Sequence, residues 1–406
     1  MASSPDPRRW RILALLFFSL AVNLLDRQVL AVLAPVIRDE LHLSNTEYSM
    51  VIAAFLAGLA LAQVPSGMLL DRIGVRIGLP LLMLWWSGAN AGHALARNVT
   101  HLAGFRFLLG VGECGNYSAG VKTISQWFPA SERALAGGIF NSGTVLGAFV
   151  APYLVVQLAQ AFGWRMAFVG VSLLGVAWIL PWLAGYREPQ HPDYFDKPKG
   201  AMVPLAPLLR MRQVWGVVLM RTLAGPVVHF YWYWLPEYLK RERAFSMEMI
   251  GLFAGIPFLF AGLGNVAGGW FSSRLIRSGF TVDASRKLAF VLGALLCLAS
   301  LAVPFVPGEM SAFSLICLAT FGMGAITSNM IGLLGDLFAP GVLARLTGLT
   351  GLFEGLFNLT VTLATGMVVD RLGYMPVFLA AGLLPAMALG SLFGLVRRIE
   401  PVSYGR

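Results

Sequence analysis

Arg27, Arg106 and Glu113 stand in stretches otherwise built of Leu, Val, Ala, Phe and Gly. Charges in such surroundings are costly unless they face a cavity or one another. Arg27 belongs to the run Asn23-Leu24-Leu25-Asp26-Arg27-Gln28. On a helix Asn23 and Arg27 share a face, while Asp26 points about 100° away. A guanidinium on a cavity wall matches a carboxylate through two parallel hydrogen bonds, so Arg27 there would receive an anion. The alternative is an Asp26–Arg27 pair with a purely structural role. Arg106 and Glu113 are two turns apart on one helix face, about 10 Å along the axis. Tyr117 continues that face, with Asn116 beside it. Burial favours the protonated acid and a nearby cation favours the carboxylate, a competition suited to proton coupling. A static Arg–Glu bridge between helices is the other reading.

Further along, Arg221, His229, Tyr231 and Tyr233 fall in one apolar run, and Glu354 and Asn358 lie one turn apart in another. Tyrosines on a cavity wall can stack on sugar faces, and they equally form interfacial belts. His229 reads as a hydrogen-bonding side chain rather than a proton relay. Lys122 lies on roughly the opposite face from Glu113, where its stem can reach the interface.

The elements that must position these groups are read from composition. The chain has 406 residues, 57% hydrophobic and only 12% charged, with mean hydropathy +0.72. Soluble domains carry about 25% charged residues, so lipid must be the solvent for much of this chain. The apolar runs suit helices of about 20 residues, and the alternation of a membrane barrel is absent. Helices are then the way to satisfy the backbone in lipid. Spans are expected near 11–36, 46–70, 77–96, 101–126, 133–160, 165–186, 211–239, 247–273, 286–305, 311–336, 342–369 and 374–396. The N-terminal apolar run is read as a retained first helix rather than a cleaved leader.

The fold expected is all-α and integral to the membrane, with about twelve spanning helices in two pseudo-symmetric six-helix bundles, 1–186 and 211–406. The polar stretch 187–210 joins them as a cytoplasmic linker. Trp127-Phe128-Pro129-Ala130 and Leu337-Phe338-Ala339-Pro340 share an offset of about 210 with Gly163-Trp164-Arg165 and Gly373-Tyr374-Met375. A duplicated unit of this kind places its substrate site near mid-membrane between the halves. Most Lys and Arg fall on segments that are cytoplasmic if both termini are inside, which sets the orientation. That distribution also accounts for the formal charge of +10 without nucleic acid. Cys114, Cys297 and Cys317 all sit in apolar runs and read as packing residues. No nucleophile–base set, metal-ligand spacing or phosphate loop is present, so neither an enzyme nor a membrane sensor is favoured. No metal and no cofactor beyond a coupling proton is expected.

Gly67-Met68-Leu69-Leu70-Asp71-Arg72-Ile73-Gly74-Val75-Arg76 resembles the GxxxDRxGxR loop of the major facilitator superfamily. Gly67 would let helices approach, and Asp71, Arg72 and Arg76 would form a latch that breaks during rocking. In the second half Ser273 takes the acidic position, which leaves that latch without its charge. Leu25-Asp26-Arg27, Arg106 to Glu113, Gly115-Asn116 through Lys122, and Glu132-Arg133-Ala134 with Gly138-Ile139-Phe140-Asn141 are similar to the anion:cation symporter family, nearest its hexuronate-type branch. That resemblance implies proton-coupled symport of a small organic anion, most of all a sugar acid. It implies an inner-membrane carrier with both termini cytoplasmic, surrounded by lipid and working as a monomer. It gives Arg27 the substrate carboxylate, Arg106 a part in shaping the site, and Asp26 and Glu113 the coupling protons. Asn23, Tyr117, His229, Tyr233 and Asn358 complete the expected substrate contacts. Leu24 stands where relatives commonly carry Tyr, which leaves the particular acid open. Proton-antiport efflux of a metabolite or drug is the alternative within transport.

Overall fold

The computed structural model describes residues 8–128, 130–187, 208–338 and 340–402, so most of the expected linker lies outside the described residues. The described residues form twelve spanning helices: α1 (Arg8–Leu41), α2 (Asn45–Ile73), α3 (Val75–Gly92), α4 (Val99–Trp127), α5 (Ala130–Phe162), α6 (Trp164–Gly185), α7 (Arg212–Glu242), α8 (Met247–Arg277), α9 (Val282–Phe305), α10 (Glu309–Leu337), α11 (Pro340–Leu372) and α12 (Met375–Val396). Ten are long and apolar enough to cross a bilayer on composition alone. The other two are α3, only 18 residues long, and α4, which carries Arg106, Glu113, Asn116 and Lys122. Helix α4 therefore falls short of a span by composition because of the ionisable and polar side chains it carries.

Local signals explain where these helices start and stop. Ser44 caps α2 by accepting from Glu47 N at 3.1 Å, and Glu47 Oε2 accepts from Ser44 N at 2.9 Å. Asn98 caps α4 through His101 N at 2.9 Å. The 210-residue offset reappears in the element boundaries. Helices α4 and α10 each have 29 residues, starting at 99 and 309. Helices α5 and α11 each have 33, starting at 130 and 340. Helices α5 and α11 are each followed by a turn through a glycine at positive φ, Gly163 at 82° and Gly373 at 72°. A side chain is strained in that conformation, which accounts for glycine at both equivalent positions.

The chain forms two compact units, Met1–Lys197 with Tyr233–Gly255, and Pro198–Trp232 with Ile256–Arg406. Inside each unit helices touch backbone to backbone. In the first, a Cβ on Gly147 of α5 would lie 2.2 Å from the Ala21 carbonyl of α1, and one on Gly110 of α4 would lie 2.3 Å from the Phe55 carbonyl of α2. In the second, Gly264 of α8 and Gly324 of α10 make the equivalent crossing, against Phe321 O at 2.0 Å and Ala261 O at 1.9 Å. Small residues let helices meet this closely where no hydrophobic drive between helices exists in lipid. Gly67 is not one of these crossings. A Cβ there meets nothing within 4 Å, so the close approach expected at that position is made elsewhere.

A direct test follows from this contrast. Gly147→Val forces α1 and α5 apart, at a cost of about 3 kcal/mol, and should lower the melting temperature of the purified protein or abolish its monodisperse peak. Gly67→Ala should leave both unchanged.

Candidate functional site

The first unit gathers its charges where α1, α3 and α4 meet. Arg27 Nε donates to Glu113 Oε2 at 2.5 Å, with the glutamate side chain fully buried and the arginine 18% exposed. The second Glu113 oxygen is buried without a hydrogen-bond partner. Arg106, also buried, directs both terminal nitrogens at the Arg27 carbonyl, each at 3.4 Å. The two guanidinium groups lie 5.2 and 5.9 Å from the Phe55 ring centroid. The Asp26–Arg27 pair considered from sequence does not form. The two side chains diverge as the 100° helical step requires, and Asp26 turns to α3. There its Oδ1 accepts from Asn90 Nδ2 at 2.7 Å and its Oδ2 from Trp86 Nε1 at 3.1 Å. Asn90 is steadied in turn by Ser172 Oγ at 3.1 Å. Asn23 is buried on α1 and its Nδ2 has no partner.

What brings Arg27 to Glu113 is the packing of α1 on α4. Ser19 Oγ donates to Asn116 Oδ1 at 3.1 Å, and Asn116 Nδ2 donates to the Ser19 carbonyl at 3.3 Å. This buried two-way bond fixes the register of α1 against α4. Breaking an ion pair as enclosed as Arg27–Glu113 by deleting one partner costs about 3–5 kcal/mol, because the other charge is left stranded. Tyr117 stands apart from the cluster. It is 53% exposed, its ring 5.8 Å from that of Phe140.

The remaining expected contacts divide between the units. Tyr233 belongs to the first, buried, with its carbonyl accepting from Tyr48 Oη at 2.8 Å. His229 and Asn358 meet in the second, where Asn358 Nδ2 lies 3.2 Å from His229 Nδ1. Beside them Arg221 Nε donates to Glu354 Oε2 at 2.5 Å and Arg221 Nη1 to Thr350 Oγ1 at 3.1 Å.

At the loop between α2 and α3, Asp71 pairs with Lys122 Nζ at 2.6 Å, and Lys122 also donates to the Leu70 carbonyl at 3.0 Å. Lys122 thus reaches a carboxylate rather than only the interface. Arg72 and Arg76 point outward, and the Arg76 carbonyl accepts from Trp182 Nε1 at 3.2 Å. The second unit does hold a charged pair, contrary to what Ser273 suggests. Arg286 Nε donates to Asp336 Oδ2 at 2.8 Å, and its Nη1 donates to Ser272 Oγ and Asn329 Oδ1 at 3.0 and 3.2 Å. The acid comes from α10 instead of the loop.

Sequence reasoning missed three further groups. Trp86 and Asn90 were not singled out, and their one-turn spacing is the signal that they serve one partner. A network joins Arg38 and Arg241 to the fully buried Glu237, and Arg241 also to Asp39. Its only sequence signal is ionisable residues near the ends of α1 and α7. The Arg221–Glu354 pair was visible only as two separate charges.

The arrangement is that of a membrane protein with paired ionisable groups enclosed among its helices, and comparison with known proteins supplies its family. Residues 16–360 match the Major Facilitator Superfamily model. The chain is 32% identical to the hexuronate transporter of Escherichia coli (strain K12), over 91% of this chain and 90% of that one. It is 35% identical to the galacturonate transporter of Dickeya chrysanthemi, over 71% and 88%. It is 29% identical to a D-galactonate transporter of E. coli O6:H1, over 98% of both. Among solved structures, a bacterial homolog of the lysosomal transporter Spinster superposes with TM-score 0.76 at 20% identity, over 97% of this chain and 96% of that one. A D-xylose-proton symporter gives TM-score 0.76 at 15%, over 95% and 96%. These two establish the fold alone. The chain belongs to the major facilitator superfamily, in the anion:cation symporter family with these sugar-acid carriers, and is a multi-pass membrane transporter rather than an enzyme.

Proposed function

We propose that this protein is a proton-coupled symporter of a small organic anion, a sugar acid such as a hexuronate or aldonate, working by alternating access. The observation that carries the reading is the enclosed Arg27–Glu113 pair with one glutamate oxygen unpartnered. A guanidinium can satisfy one carboxylate fully, and here Glu113 and an incoming substrate carboxylate would compete for it. Protonation of Glu113 removes its charge and releases Arg27 to the substrate. Loss of the proton returns Arg27 to Glu113 and expels the anion. Proton and substrate therefore favour the same state, which is the thermodynamic requirement for symport. Asp26, held by Trp86 and Asn90, is the second proton carrier, and a pH titration reports the two acids as a pair. Arg106 holds the α1 backbone at Arg27 and so keeps the receiving guanidinium in place. The Asp71–Lys122 pair, with Gly67, Arg72 and Arg76 in the same loop, serves as a latch that opens and closes with the cycle. The names of the hexuronate, galacturonate and D-galactonate transporters support the substrate class.

Uptake into proteoliposomes tests the coupling. Wild type should accumulate D-galacturonate or D-galactonate under an inward proton gradient. Glu113→Gln, a permanent mimic of the protonated acid, should keep substrate binding but lose gradient-driven accumulation. Arg27→Ala should abolish binding and Arg27→Lys should impair it, since an ammonium cannot reproduce the bidentate fork. Accumulation surviving in Glu113→Gln would leave Asp26 as the carrier, and wild-type affinity in Arg27→Ala would make Arg27 structural.

The same reading puts both termini on the cytoplasmic side, from the Lys and Arg distribution, and takes the monomer as the default for this architecture. Reporter fusions should place residues 190–200 in the cytoplasm and residues 240–245 outside. The reverse pattern would sink the orientation.

A further inference from the structure

Within the second unit an open cavity of about 600 Å³ lies where α7 begins and α12 ends, and the coupling scheme does not use it. Arg212 and Gln213 line it from the first turn of α7, and Arg397, Arg398 and Glu400 line it from the segment after α12. Among the described residues, Arg212, Arg398 and Glu400 make no ion pair. Arg397 spends only its Nε, on the Gly394 carbonyl at 3.2 Å, which leaves its two terminal nitrogens to the cavity. Asp283, which reaches the same segment, is already engaged. It pairs with Lys287 Nζ at 2.8 Å, and its Oδ1 accepts from Ile399 N at 2.8 Å. Three guanidinium groups against one carboxylate leave the cavity with excess positive charge. Like charges gathered round one space repel, and an anion placed between them removes that cost.

The rim is fixed in this shape. Helix α12 closes in a widened turn, Leu392–Val396, in which Arg397 N donates to the Leu392 carbonyl at 2.9 Å. Arg397 itself sits at φ 61° and ψ −66°, with Arg398 N donating to the Val396 carbonyl at 2.8 Å. That is a three-residue turn of the rare, strained hand. Lys287 Nζ holds the Arg397 carbonyl, and Val402 N donates to the Leu337 carbonyl at 2.8 Å. Strain held in place where two successive arginines enter a cavity is the mark of a ligand clamp. Topology alone asks for cations on these loops, but not for a pinned and strained backbone that gathers them round one space. Bare apolar groups follow further along both helices. Phe393 on the last turn of α12 is 49% exposed, and Leu219, two turns into α7, is 41% exposed.

We propose that this cavity binds the phosphodiester headgroup of an anionic phospholipid. Arg212, Arg397 and Arg398 take the phosphate oxygens, and Glu400 accepts from headgroup hydroxyls. The exposed apolar side chains lie where acyl chains would run. Basic pockets at the cytoplasmic ends of membrane helices hold headgroups in this way. The site is independent of the sugar-acid reading, and the orientation given above enters only in naming the cytoplasmic leaflet.

Native mass spectrometry of the purified full-length protein in detergent tests this, with phosphatidylglycerol and phosphatidylcholine of identical acyl chains as probes. Wild type should retain phosphatidylglycerol roughly tenfold more tightly than phosphatidylcholine. Arg212→Ala combined with Arg398→Ala should weaken that binding by roughly tenfold or more. Arg274→Ala combined with Arg277→Ala removes the same charge from the end of α8 and should change it by less than about twofold. All four arginines are exposed, so neither double variant removes a buried contact. Equal losses in the two double variants would mean a diffuse basic surface and overturn the site. Equal retention of the two lipids by wild type would overturn it as well. Inorganic phosphate is the last arm. If it raised the melting temperature as much as phosphatidylglycerol does, the cavity would belong to a soluble anion and the lipid assignment would fall.

Discussion

A charge inside a membrane helix must be answered by another charge or by a route to water, and that constraint organises this molecule. Arg27 and Glu113 answer one another across α1 and α4 at 2.5 Å, with the glutamate fully enclosed. Neither group is tolerable alone in that position, so α1 and α4 must be held in one register. The Ser19–Asn116 double bond supplies that register, and Arg106 fastens the backbone of Arg27 from the other side. Asp26, the neighbour with no room in this arrangement, is answered by neutral donors on α3. Three helices of the first unit are thus tied together by polar groups that a purely structural core would have replaced with Leu or Val. Well-packed hydrophobic residues would serve stability as well or better. Retaining charges there makes sense for groups that exchange partners.

The duplicated architecture supports this chemistry without repeating it. The equal lengths of α4 and α10, and of α5 and α11, repeat at the same 210-residue offset as the sequence motifs. Their charges have gone separate ways. The position of Glu113 in α4 corresponds by the offset to Met323 in α10, so the second unit has no acid there. It carries instead the pair Arg221–Glu354 between α7 and α11. The loop pairs diverge likewise. Asp71 of the first unit takes its cation from α4, whereas Arg286 of the second takes its acid from α10. The scaffold fixes where helices cross, through glycines, and leaves the ionisable groups free to specialise.

Much of this was legible in the sequence, and the exceptions are instructive. Twelve spans were read from the apolar runs, ten of them strong on composition alone and α3 and α4 weaker, and the repeat from two short motifs at one offset. Arg27 and Glu113 each stood out as a charge in an apolar run. Their pairing was not readable, because they are separated by more than eighty positions and the approach depends on how α1 lies on α4. Helical-wheel angles put Asp26 and Arg27 on different faces correctly, but gave no hint that α3 would supply Trp86 and Asn90. The wheel also placed Tyr117 with Glu113, since an angle says nothing of how far neighbouring helices extend along the axis. In the loop of the second half Ser273 suggested a missing latch, because local alignment cannot see an acid donated by another helix. Local periodicity therefore recovers faces and lengths, while partners across helices require the packing.

The central claim is that Glu113 and the substrate carboxylate exchange places on Arg27. The most direct measurement is the number of protons taken up on substrate binding, obtained by calorimetry of the purified protein in buffers of different ionisation enthalpy. If the exchange operates, wild type takes up about one proton per substrate bound where Glu113 starts ionised, and Glu113→Gln takes up correspondingly fewer. Substrate binding to wild type without proton uptake at any pH across the neutral range, or uptake unchanged in Glu113→Gln, would contradict it.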